Sequence, residues 1–150
     1  MDPTLRAVLG VSMRWIHITS VVTLLGGFIF ARYALAPALA AVAEPERGSM
    51  AKKVVANFRP LLYTVLVTLI GSGLYNYLSK PSYPPHYHMW IGIKFLFALH
   101  IFAVSVLYSM TDAGDAKRNR WLSGMVYSGL IVIAISAYLR SLSLSWISLK

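Results

Sequence analysis

"HMWIGIKFLFALHIFAVSVLY", from His88 to Tyr108, reads as one long apolar helix with two misfits inside it, Lys94 and His100. A bilayer core needs about 20 apolar residues of helix, and this stretch supplies them from about 89 to 110. Three further stretches qualify, at about 7–35, 60–78 and 121–140. The expected fold class is therefore all-α, an integral-membrane bundle of four transmembrane helices, with residues 1–150 as a single transmembrane domain. Pro37 follows the first span, and Pro60 is expected in the first turn of the second, where a missing N–H costs little. "KPSYPPHY" and "TDAGDAKRNR" break the chain before the third and fourth spans. Trp15, Trp90, Trp121 and Trp146 lie near span ends, as interfacial aromatic residues tend to.

Composition agrees. Apolar residues make up 57% of the chain and charged residues 13%, against about 25% charged in a soluble domain. The bilayer is the expected solvent and a direct partner. With no cysteine, disulfides, thiolate metal sites, covalent haem attachment through C-x-x-C-H and cysteine nucleophiles are excluded. The net charge of +9 suits basic connections facing anionic lipid. It does not suit nucleic acid, because the charges form no stripe interleaved with aromatic residues. "ALAPALAAVA" resembles a signal-peptide cleavage region. The apolar run before it is longer than the usual h-region and contains Arg32, so it reads as a retained first span.

Orientation follows from Lys and Arg in the connections. Arg32, Arg47, Lys52, Lys53 and Arg59 join spans one and two, and Lys117, Arg118 and Arg120 join three and four. The other side has Arg6, Lys80, Arg140 and Lys150. Both termini and the "KPSYPPHYH" loop are thus expected outside, on a multi-pass protein of the bacterial inner membrane.

In that topology the first and third spans run in the same direction. His17 and His100 then fall at matched depth, differing by about 1.5 Å at the helical rise. Two imidazoles on parallel helices can meet across a bundle core, where cofactor sites are built from facing helices. A lone intramembrane histidine can also simply hydrogen-bond a neighbouring helix. Each of these two, however, has a cation placed outward of it. Arg14 lies about 4.5 Å along the axis from His17 and on nearly the same face, whereas Lys94 lies about 9 Å from His100 and must reach round the helix. This arrangement meets the needs of haem b, which takes axial histidines at iron and cations at its propionates. Lys94 can alternatively snorkel to the headgroups.

Thr64, Thr68, Gly71, Ser72 and Tyr75 form a small, polar stripe on the second span, and Gly124, Tyr127 and Ser128 begin one on the fourth. Helix packing alone accounts for both. In the outer loop, His86 and His88 form an H-x-H pair that can bind copper or zinc, make a second haem contact, move protons, or remain ordinary interfacial side chains. Soluble-enzyme motifs such as H-E-x-x-H, Walker A and G-x-S-x-G are missing. The acids Asp2, Glu44, Glu46, Asp112 and Asp115 are all expected in termini or loops, which argues against a transporter driven by an intramembrane carboxylate.

"RWIHITSVVTLLGGFIFARYALAPAL", Arg14 to Leu39, resembles the first span of CopD-like membrane proteins, with a Trp-x-His start, a mid-span pair of small residues and a proline near the cytoplasmic end. "HMWIGIKFLFALHIF" resembles the Trp…Lys…His helix of that group and of HemJ-type protoporphyrinogen oxidases. The resemblance implies a four-helix membrane bundle that binds haem b, with His17 and Lys94 at the positions essential in HemJ-type enzymes. CopD itself implies copper uptake. At "GGFIFARY" the chain departs from the HemJ pattern, which has an aromatic and proline-rich exit from the span. The leading expectation is a haem-b redox protein with His17 and His100 as axial ligands and Arg14 and Lys94 at the propionates. It would exchange electrons with quinone or another redox partner, or oxidise a small substrate at the outer face. The alternative is a copper-binding or copper-transport protein, in which His86 and His88 collect the ion. Whether the protein is an enzyme is left open, as is assembly into a homo-oligomer.

Overall fold

The computed structural model describes residues 2–79, 83–84, 86–111 and 114–148. Lys80, Pro81, Ser82, Pro85, Asp112 and Lys150, which entered the loop and orientation reading, lie outside them. Among the described residues there is no strand, and four helices are long and apolar enough to cross a membrane by length and composition. The all-α expectation holds.

The contacts gather in two compact units, Met1–Pro81 and Ser82–Lys150, each a helical hairpin. The first contains α1 (Pro3–Phe30), a π turn (Ala31–Leu35), the short α2 (Ala36–Ala40) and α3 (Glu46–Leu78). The second contains α4 (Tyr87–Met110) and α5 (Asp115–Ser148). Asp2 caps α1 by accepting from the Thr4 N–H at 3.3 Å, and Pro3 sits in the first turn, where it has no helical bond to lose. Asp115 and Glu46 lie in the first turns of α5 and α3, where a carboxylate meets the positive end of the helix dipole. They are helical rather than in loops as expected.

The helix ends differ from the sequence reading in three places. The second span does not start at Pro60. α3 begins at Glu46 and carries Pro60 in its interior. The proline removes one N–H donor, and the carbonyl one turn back is freed. Around it Asn57, Arg59 and Pro60 are exposed, so the surroundings can solvate that carbonyl and the helix persists. Arg47, Lys52, Lys53 and Arg59 consequently ride on helix rather than loop, and so do Lys117, Arg118 and Arg120 on α5. Nor does the first helix stop before Pro37. A π turn over Ala31–Leu35 widens the backbone, and Pro37 falls in the first turn of α2, which continues to Ala40. An inserted π turn is a usual way to absorb such a misfit.

Helices of 33 and 34 residues are about 50 Å long at the helical rise, against about 30 Å of hydrocarbon. α4, with 24 residues, is about 36 Å. Each helix buries one narrow face. Ser20, Leu24 and Phe28 are buried on α1, and Leu62, Val65, Leu66 and Ser72 on α3. In the second hairpin Ile101, Ser105 and Tyr108 of α4 are buried, as are Leu122, Met125, Val126, Ile135 and Leu139 of α5. The outer faces are apolar too. Val8, Val11, Trp15, Ile18 and Val22 form an exposed stripe along α1. Helices apolar on every side suit lipid as their surroundings.

Candidate functional site

The polar chemistry of the first hairpin lies along the α1–α3 seam. His17, half-buried, brings Nδ1 to 3.1 Å from Ser72 Oγ. One turn on, Ser20 Oγ is 2.9 Å from Thr68 Oγ1. One turn back, Asn76 Nδ2 donates to the Met13 carbonyl at 3.4 Å. The three pairs run in opposite order along the two helices, as an antiparallel hairpin requires, and fix their register. His17 also rests on Gly73. A Cβ at that position would lie 3.5 Å from His17 Nδ1 and only 3.2 Å from Cε1, the latter closer than a side chain ordinarily comes. Glycine there lets the ring enter the seam.

His100 is arranged differently. It lies on α4, is exposed, and has no hydrogen-bond partner among the described residues. Its Nε2 faces Gly124 of α5, 3.6 Å from where a Cβ would be. A turn further along, Ser105 donates to the Ile101 carbonyl at 2.6 Å and touches Met125 Sδ at 3.3 Å, both residues being fully buried. Each of these two histidines therefore lies over a glycine of the helix with which its own helix pairs.

The remaining expected site residues fall as follows. Arg14 is exposed, one turn from His17, with no ion pair or hydrogen bond among the described residues. Lys94 is half-buried on α4. His86 occupies the N-cap of α4 with φ 62°, a left-handed conformation in which histidine is over-represented. His88 is exposed and presents its ring edge-on to Tyr83 and Tyr87, at centroid distances of 5.3 and 6.4 Å. Tyr83 and Tyr87 stack on each other at 4.5 Å. Among the described residues no three His, Cys, Asp or Glu side chains are grouped to hold a metal ion.

The polar stripe divides under this geometry. Thr68 and Ser72 bond across to α1, whereas a Cβ at Gly71 would meet nothing. Gly124 faces His100 and Ser128 is buried, but Tyr127 is exposed. Gly73 went unremarked in the sequence, although pairing the spans as an antiparallel hairpin from the intervening connection would have brought it opposite His17. Comparison with known proteins found no matching family model, no matching curated protein and no matching solved structure.

Proposed function

We propose that the protein is a haem-b redox protein of the bacterial inner membrane, with His17 and His100 as the two axial ligands. The observation that carries this reading is the pairing of each intramembrane histidine with a glycine, Gly73 and Gly124. A Cβ at Gly73 would crowd the His17 ring, whereas one at Gly124 would make an ordinary contact with His100 Nε2. Ionisable groups in such apolar helices are functional by default, and each histidine lies at nearly the same distance from the start of its own helix. A porphyrin supplies four nitrogens, so two imidazoles complete the iron.

Bound haem would supply a one-electron couple. The chain's part is to hold the iron, orient the imidazoles and neutralise the propionates. Arg14, unpaired among the described residues, and Lys94 would take the propionates through charge-assisted hydrogen bonds. Electrons would pass to or from quinone or another redox partner, or from a small reductant at the outer face. The Lys and Arg excess near the α2–α3 and α4–α5 connections favours a cytoplasmic location for both, with the termini outside.

The test is the visible spectrum of the protein purified from cells supplied with haem. A Soret band with the sharp α band of six-coordinate iron on reduction is expected, with iron equal to chain. Colourless protein sinks the proposal, and copper without iron transfers the site to copper handling. Because the chain has no cysteine, topology can be read by single introduced cysteines. Ser79→Cys should label from outside and Ser49→Cys should not.

A further inference from the structure

We infer that Ser72 is a positioning residue for His17, holding the imidazole in the tautomer that carries its proton on Nδ1 and its lone pair on Nε2. The assignment stands on hydrogen-bond geometry within the first hairpin. Only its consequence for iron rests on the haem proposal.

The argument is a count of protons. A serine hydroxyl has one proton to give and lone pairs to accept with. Ser72, 3% exposed in the C-terminal part of α3, gives that proton to the Thr68 carbonyl of its own helix. Toward His17 Nδ1, 3.1 Å away, the oxygen can then only accept. Nδ1 must therefore carry a hydrogen, and in a neutral imidazole the other nitrogen is bare. Thr68 repeats the arrangement one turn away. Its hydroxyl is directed at the Thr64 and Val65 carbonyls, both at 3.0 Å, so across the seam it accepts from Ser20 at 2.9 Å. At these two positions α3 offers lone pairs and α1 offers protons.

Gly73 completes the seat. With Cε1 and Nδ1 packed over the glycine, a half-turn of the imidazole about Cβ–Cγ would put Cδ2 in the place of Nδ1 and lose the bond to the serine. Hydrogen bonds between membrane helices are individually weak, so Ser72 contributes little to holding the hairpin together. Its contribution is directional. A metal-bound histidine characteristically donates its other N–H to an outer partner, which fixes the tautomer and strengthens the ligand. Ser72 is placed to be that partner.

The experiment uses the full chain in lipid nanodiscs with nitrogen-15 histidine, first without haem. His17 is expected as the Nδ1–H tautomer in the wild type. Ser72→Ala should shift it toward Nε2–H, and Ser72→Thr, which keeps the hydroxyl, should restore it. Helicity by circular dichroism should be equal in all three. An Nε2–H His17 in the wild type, or an unchanged tautomer in a folded Ser72→Ala variant, overturns the assignment. In a second arm with haem, Ser72→Ala should weaken haem retention by about 10–100-fold and raise the midpoint potential, with Ser72→Thr near wild type. A tautomer shift in protein that never shows a Soret band would defeat the haem proposal and leave Ser72 in its role.

Discussion

His17 in the first hairpin is held on two sides, by the Ser72 hydroxyl and by the close floor of Gly73, whereas His100 in the second rests on Gly124 with no hydrogen bond among the described residues. Both helices face an imidazole with a glycine, though only at Gly73 would a Cβ crowd the ring. Only one of them went on to fix the ring's direction. The difference shows that making room for a side chain and orienting it are separate tasks, the first met by removing a Cβ and the second by supplying a lone pair. In the second hairpin the corresponding polar investment is deeper in the helix pair, where Ser105 meets Met125, and does nothing for the histidine.

The largest test of this contrast is to remove each ring in turn. His17→Ala should abolish the Soret band, while His100→Ala should retain haem as a five-coordinate species that binds carbon monoxide when reduced. Equal loss in both variants would break the contrast. Next in size, the two glycines should answer differently to a methyl group. Gly73→Ala puts a Cβ at 3.2 Å from His17 Cε1 and should cut haem retention by about tenfold, the low end of the effect expected when a ligand's support is disturbed. Gly124→Ala makes an ordinary 3.6 Å contact and should leave the spectrum unchanged. It should also stabilise the helix by up to about 1 kcal/mol through the lower entropy of the unfolded chain.

A smaller effect separates the two seams themselves. Ser20→Ala removes a bond between helices and should cost about 0.6 kcal/mol in unfolding from lipid or detergent. Ser105→Ala should cost less than that, since the Ile101 carbonyl keeps its helical partner and only a weak contact with sulfur is lost. A larger loss for Ser105 would reverse the ranking. The smallest effect is expected where the second hairpin turns. There Lys117 lies 4.9 Å over the Trp121 ring and Arg118 lies 5.9 Å over Tyr108. Replacing either cation by glutamine should cost about 0.5 kcal/mol, the value for exposed cation–π pairs. Arg32→Gln, whose guanidinium lies 5.4 Å from the Tyr33 ring in the first hairpin, should match it.

Particular residues show why some of this was legible in advance. Four helices were readable because length and apolarity suffice to mark a span, and His17 and His100 stood out because imidazole is rare in such segments. The helix ends were not. Pro60 and the basic residues before it look like a boundary in sequence, yet α3 runs through them from Glu46, since headgroups and water solvate a helix as readily as a loop. Pro37 looks like a stop, but the π turn before it carries the chain to Ala40. Ser72 was visible as one member of a polar stripe, but nothing in its neighbours along the chain indicates that it shares a hydrogen bond with a residue 55 positions away.

What the amino-acid order settled unaided is the class of fold and the presence of helices apolar and long enough to cross a membrane, because both depend on how many apolar side chains follow one another. Tertiary structure alone decided which lone pair faces which proton, and which glycine lies beneath which ring. Those are matters of register between helices, and register is set by the summed packing of two surfaces that no single segment contains.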